Sequence, residues 1–291
     1  MAPVVNTERV SDAAPANRIV VGLGHMGAGI ATSLARAGHR VLGVDPGPVP
    51  TPEGVERTTL PEALAEAQVL VLSLPGTEQV DQLLPDLEHA SAPVLVIDAS
   101  TCPPADTRRR AEWLAGQGHV LVDAPVSGGP SGAAEGALTV FLGCSEEDLS
   151  QVLNVLEPLA AHVSHVGDVG AGNTAKLMNN LLCGVHLSAA QALHGAAAAS
   201  GVDVERLLAA VNTASGRSAV TEVNLPRWVL SGSFDSGFPV GLMARDVGLA
   251  AEMAEQLGVS SALVSAARGM WDELLEQIGP TEDFNRMVTA R

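Results

Sequence analysis

The chain has 291 residues, of which 46% are hydrophobic and 17% charged, and it carries a formal net charge of −17. A chain of this length exceeds the usual single-core size, so two domains with ample buried material are expected and disorder is excluded over most of the sequence. The acidic balance excludes a nucleic-acid partner, since phosphate backbones are held by clustered Lys and Arg, and the lack of any tyrosine excludes a tyrosine proton relay.

The opening stretch MAPVVNTERVSDAAPAN lacks the basic and apolar regions of a signal peptide, and residues 1–16 read as a flexible tail. No uninterrupted apolar stretch reaches membrane-spanning length, so no membrane partner is expected. Cys102, Cys144 and Cys183 are odd in number and widely spaced. This pattern fits a reducing compartment without a disulfide framework and predicts a cytoplasmic protein. No CxxC or HExxH pattern occurs, so no metal site is expected, and the histidines, His162 and His165 included, read as structural or exposed.

RIVVGLGHMGAGIATSLARAGHRVLGVD is the most informative local stretch. A short buried strand from Arg18 to Val21 runs into a tight turn, Gly22, Leu23, Gly24, His25, Met26 and Gly27, and then into a helix from Ala28 to Ala37 stopped by Gly38. In such a βαβ unit the first glycine makes the turn, the second lets a pyrophosphate approach the backbone, and the third permits close packing of helix on strand. The helix start then offers free amides to phosphate. The second strand ends at Asp45, which either accepts hydrogen bonds from ribose hydroxyls or merely forms a strand-end turn. In the first case it repels a 2′-phosphate, and with Pro46, Gly47 and Pro48 following, no adjacent arginine welcomes one. NAD is therefore favoured over NADP.

Further strands are expected at 69–75, 94–100, 120–126 and 138–143, as continuous apolar runs suited to a parallel sheet covered on both faces. Ligand contacts gather at the carboxyl edge of such sheets, which makes Leu74, Pro75, Ser100 and Thr101 cofactor neighbours or ordinary loop residues. Arg108, Arg109 and Arg110 form the one basic run and read as a solvated helix face. In DAPVSGGPSGAAEGAL, Ser127, Gly128 and Gly129 follow a strand directly, where backbone without Cβ makes either a carboxylate-binding nest or a glycine-rich turn.

One long helix is expected from Gly170 to Gly201, rich in Ala and Leu and free of proline. It contains Lys176, the only lysine beside 15 arginines. A lysine can exchange a proton where an arginine cannot. Lys176 and Asn180 lie four apart and share a helix face, with Asn179 alongside. Such a pair serves either proton transfer with an amide fixing the geometry, or an ordinary polar surface. Beyond Val202 the chain reads as helices with turns near TASGRS and SGSFDSGFP. Phe238 and Leu242 are expected at the base of a cleft, with Trp228 and Trp271 in the core.

Taken in order, GLGHMG, DAST, DAPVSGGPSGAAEG, GAGNTAKLMNN and FPVGLMARDVGLA resemble the β-hydroxyacid dehydrogenase family from residue 17 to about 288. The resemblance implies an α/β fold. A Rossmann-type doubly wound domain would span 17–168, and an all-α substrate and oligomerisation domain 169–291, joined by the long helix with the active site between them. It implies hydride exchange between NAD and a small anionic β-hydroxy acid or its semialdehyde, in a homodimer or homotetramer. Lys176 becomes the general acid/base and Asn180 its positioning partner. Ser127, Gly128, Gly129, Asn179, Asp123 and Arg245 become substrate contacts, and Arg245 also a cofactor contact. Arg245-Asp246 departs from the family's usual Lys-Asp, and the planar guanidinium suits bidentate anion contact or a plain pair with Asp246. Imine reductases share the fold but depart at the lysine retained here. A chemically silent NAD-binding regulatory module is the alternative from another class.

Overall fold

The computed structural model of the protein describes residues 17–290, so the tail expected over residues 1–16 lies outside the described residues. The described chain divides into two compact units between Lys176 and Leu177. This boundary lies two helical turns beyond the expected 168/169, because the start of the long helix is bonded to the sheet.

The first unit runs β1 (Arg18–Val21), α1 (His25–Arg36), β2 (Val41–Val44), β3 (Val55–Arg57), α2 (Leu60–Leu64), β4 (Val69–Leu72), α3 (Thr77–Leu83), β5 (Leu95–Asp98), α4 (Pro104–Ala115), β6 (Val120–Asp123), β7 (Val126–Ser127), α5 (Gly129–Glu135), β8 (Leu138–Gly143), α6 (Leu149–Leu156) and β9 (Ala160–Gly167). The strand order β3-β2-β1-β4-β5-β6 is parallel throughout, the arrangement of a doubly wound dinucleotide-binding sheet. Alternation explains why the apolar runs become central strands. Val20, Val69, Val71, Leu95 and Ile97 enter one core, while Ile19, Val21, Leu70, Leu72 and Val96 enter another. Each side chain so buried contributes about 1.5–3 kcal/mol.

Three expectations need correction. The strand expected over 120–126 breaks into β6 and β7 around Pro125, which has no N–H for the ladder. β8 runs antiparallel to both, so the sheet is mixed beyond β6. And β3 and β9, absent from the sequence reading, are edge strands with a single buried position, Val163, between them; β9 carries the two histidines and pairs with β8. The basic run is likewise only partly solvated. Arg110 is buried, its Nε donating to Asp81 Oδ1 at 2.7 Å and its Nη2 to the Thr77 carbonyl at 3.2 Å.

α7 (Ala171–Ser200) begins in the first unit and continues into the second. There α8 (Val204–Asn212), a π-helical segment Val220–Leu230 with Pro226 inside it, α9 (Val240–Gln256), α10 (Ala262–Ile278) and a 3₁₀ turn Phe284–Val288 surround Trp271. Trp271 is fully buried as expected, whereas Trp228 is half-buried beneath Arg227. Phe238 meets Phe284 edge-on at 5.2 Å, and Leu242 is half-buried. No helix among the described residues is long and apolar enough to cross a membrane.

Candidate active site

The glycine loop is shaped by close approach. Gly22 has φ +89°, and a Cβ there would stand 2.2 Å from the Ser73 carbonyl oxygen; at Gly27 it would stand 1.7 Å from the Gly22 oxygen. At Gly24 it would meet nothing within 4 Å. Gly24 caps α1 without a side-chain bond, and no acid occupies the first turn, so the helix start keeps its amides and its positive dipole end for an anion. Gly24 and His25 are exposed, Met26 half-buried, and Leu23 buried. Asp45, half-buried at the end of β2, accepts from Leu23 N and Gly47 N, each at 2.7 Å. These residues fit a dinucleotide: an open backbone cradle for phosphate beside a carboxylate with acceptor capacity to spare for ribose hydroxyls.

Farther along the carboxyl edge, Leu74 N donates to Ser100 Oγ at 3.0 Å, and Ser100 N donates to Asp98 Oδ1 at 2.9 Å, which joins the ends of β4 and β5. Leu74 and Thr101 are half-buried and Pro75 exposed on this edge. Asp98 is buried, and its Oδ2 has no hydrogen-bond partner among the described residues. Burial pushes its carboxyl up to about 6, against the pull of the Ser100 bonds and the Arg110 charge. Burial also raises the thiols of Cys102 and Cys144 to about 12, so neither is a nucleophile at neutral pH.

Asp123 departs most from the sequence reading. It is fully buried, and its two carboxylate oxygens accept from Gly170 N and Asn173 N, each at 2.6 Å. The expected substrate contact is thus corrected to an anchor for the first turn of α7. Burial raises this carboxyl to about 6, with the two amide bonds opposing. Close packing requires glycine here too: a Cβ on Gly172 would lie 2.3 Å from the Phe141 oxygen. Asn173 extends the anchor. Its Oδ1 accepts from Cys102 N at 3.0 Å and its Nδ2 donates to Thr107 Oγ1 at 3.2 Å, tying α7 to the loop that carries Thr101. The sequence holds a faint signal for Asn173, which stands one turn before the lysine.

Lys176 follows one turn after the anchor and is only 7% exposed. On the same unit, Ser127 is half-buried in β7, and Gly128 and Gly129 take φ values of +128° and +67°, which L side chains rarely adopt. In the second unit, Asn180 is buried and its Nδ2 donates to Asp246 Oδ2 at 2.6 Å; its Oδ1 accepts from Asn179 Nδ2 at 3.1 Å. The other Asp246 oxygen accepts from Arg245 Nε at 3.0 Å and Nη2 at 2.7 Å. Asp246 therefore joins the asparagine to the arginine. The pair of Asp246 with Arg245 is legible in the sequence, but its bond to Asn180 is not, since Asn180 stands 66 residues away.

The strand order, the bare glycine cradle and the aspartate after β2 define a dinucleotide-binding oxidoreductase scaffold. Comparison with known proteins agrees. Residues 19–167 match the model for the NAD-binding domain of 6-phosphogluconate dehydrogenase, and 170–290 the model described as NAD-binding of NADP-dependent 3-hydroxyisobutyrate dehydrogenase. A probable 3-hydroxyisobutyrate dehydrogenase of Mycobacterium tuberculosis is 33% identical over 86% of this chain and 90% of its own length. An NAD-dependent L-serine dehydrogenase of Pseudomonas aeruginosa is 32% identical over 91% and 94%. The solved structure of the M. tuberculosis 3-hydroxyisobutyrate dehydrogenase with L-serine superimposes with a TM-score of 0.86 at 32% identity, covering 94% of this chain and 98% of that one. The chain belongs to the β-hydroxyacid dehydrogenase family and is built as an NAD-binding member of it.

Proposed function

We propose that the protein oxidises a small β-hydroxy acid to its semialdehyde, or reduces the semialdehyde, with Lys176 exchanging the proton. The supporting observation is the burial of the only lysine in the chain one turn beyond a helix start clamped by Asp123. Burying an ammonium is costly, and a site that needed only charge would be served by arginine.

Bound NAD supplies the hydride acceptor in oxidation and, once reduced, the hydride donor in the reverse direction. The hydroxyl proton passes to the unprotonated Lys176 Nζ as the C–H electron pair departs, and the ammonium returns it to the carbonyl oxygen in reduction. The Ser127 hydroxyl and the Gly128-Gly129 backbone hold the substrate carboxylate. Asn180, fixed by Asp246, orients the reacting groups, with Asn179 beside it. Gly22 to Gly27, Asp45, Leu74, Pro75 and Thr101 line the cofactor. Arg245 neutralises Asp246 and so cancels a negative charge that would repel an anionic substrate.

The substrates named for the relatives share one chemistry, a hydroxymethyl group on the carbon bearing the carboxylate, and this class is the one proposed here. The test is initial-rate assay of L-serine, 3-hydroxyisobutyrate and 3-hydroxypropionate with NAD and with NADP, on the natural protein and on Lys176→Arg. Turnover of at least one acid with NAD is expected, and kcat should drop by about 10²–10⁴ in the variant. Near-normal turnover by Lys176→Arg would refute the proton-transfer assignment.

A further inference from the structure

Arg57 ends β3, an edge strand, and its side chain is exposed. Instead of extending into solvent, the guanidinium reaches back under the segment that follows β2. Nη2 donates to the carbonyls of Asp45 at 2.8 Å and Gly47 at 2.6 Å, and Nη1 to the carbonyl of Val49 at 2.5 Å. Three alternate carbonyls thus face one cation. The segment needs that hold, because Pro46 and Pro48 remove two amide donors with which the backbone could otherwise be pinned.

Asp45 is consequently fixed at both ends. Its carboxylate takes the amides of Leu23, within the phosphate loop, and of Gly47, while its own carbonyl is held by Arg57. Each carboxylate oxygen has two lone pairs and gives one to an amide, which leaves one apiece for a pair of vicinal hydroxyls. Where those free lone pairs point is set by the backbone that Arg57 clamps. A cation this close to the ribose side would ordinarily favour a 2′-phosphate. Here the donors of the guanidinium are directed at carbonyl oxygens, so the charge is used on the backbone and the exposed face is left to the carboxylate.

We propose that Arg57 is a positioning residue for the adenosine ribose, acting through Asp45 to set the preference for NAD over NADP. Lysine cannot take its place, because one ammonium lacks the planar fork that spans three carbonyls. The inference rests on dinucleotide binding and not on the substrate or on Lys176, so it is tested without turnover.

The experiment is calorimetric titration of the apoprotein with NAD⁺ and NADP⁺, with thermal unfolding of the same apo samples, for the natural chain, Arg57→Ala, Arg57→Lys, Asp45→Asn and the double variant Asp45→Asn with Arg57→Ala. Arg57→Ala is expected to weaken NAD⁺ about tenfold, a free-energy change well within reach of lost pre-organisation. NADP⁺ should weaken less or gain, so that the NAD⁺/NADP⁺ affinity ratio falls while the apo Tm stays within a few degrees. Arg57→Lys should behave as Arg57→Ala does. The double variant should bind NAD⁺ no worse than Asp45→Asn alone, as two changes on one path do not add. Three results would each overturn the proposal: NAD⁺ affinity of Arg57→Ala within twofold of the natural chain, equal losses for both dinucleotides, or full additivity in the double variant.

Discussion

Asp45 and Asp123 close parallel strands of one sheet, and each accepts two backbone amides, at 2.7 Å in the first case and 2.6 Å in the second. Bond for bond they are alike. Asp45 is half-buried and its amides come from the glycine loop and from the half-buried turn that follows the aspartate, whereas Asp123 is sealed in the interior and its amides come from the start of α7. The difference decides what each can do. A carboxylate with one side open retains acceptor capacity for a ligand, while one enclosed by protein becomes a fastener whose charge is stabilised only by the groups it fastens.

Removing the enclosed carboxylate should have the largest effect. Asp123→Ala leaves the amides of Gly170 and Asn173 buried without an acceptor, at a cost of about 3–5 kcal/mol. Urea unfolding measures the loss, and hydrogen exchange should show it concentrated in the first turns of α7. A cost below about 1 kcal/mol, the value typical of an exposed bond, would erase the contrast between the two aspartates.

The same interior predicts a pH dependence. Asp98 and Asp123 are register partners on β5 and β6, and burial is the largest cause of the rise of each to about 6. A raised carboxyl binds its proton more tightly when folded, so its contribution to stability is present at low pH and is lost as the pH rises through about 6. For Asp98 the loss between pH 4 and 7 amounts to roughly 2 kcal/mol. Asp98→Asn, which removes the titration but keeps the shape, should therefore gain that much on the natural chain over the same interval, measured by denaturant unfolding at both ends. A difference independent of pH would mean that Asp98 titrates elsewhere.

How far the sequence carried this picture follows the range of the interactions. The glycine loop, the helix behind it, Asp45 and the helix bearing Lys176 and Asn180 were all legible, because turn chemistry and helical spacing act over a few residues. The anchor at Asp123 was not, since its partners lie 47 and 50 residues on, and nothing local separates a carboxylate facing a substrate from one facing a helix start. The contacts of Arg57 and the bond of Asp246 to Asn180 escaped for the same reason, their partners lying 8 to 12 residues away in the first case and 66 in the second. The edge strands β3 and β9 lacked the apolar run that marks the central strands, because an edge needs less burial to be paired. Arg110 reads as surface in the sequence because composition reports charge and not the Asp81 that pairs with it from another helix.

The smallest stability effect belongs to Asp45, and it sharpens the comparison most. Asparagine at this position keeps one oxygen for an amide and loses the other acceptor, but the site is half open and water can serve the amide left over. The apo cost of Asp45→Asn should therefore stay below about 1 kcal/mol, a shift of a few degrees in Tm for a protein of this size. Ligand binding should respond in the opposite proportion, because the lost negative charge and acceptor are the features that distinguish a ribose diol from a ribose phosphate. Scanning fluorimetry of the apoprotein with and without saturating NAD⁺ or NADP⁺ separates the two effects in one experiment. The expected pattern is a nearly unchanged apo transition, a reduced stabilisation by NAD⁺ and an increased one by NADP⁺. An apo transition lowered as far as that of Asp123→Ala would show that Asp45 is also a fastener, and that strand-end burial does not sort the two.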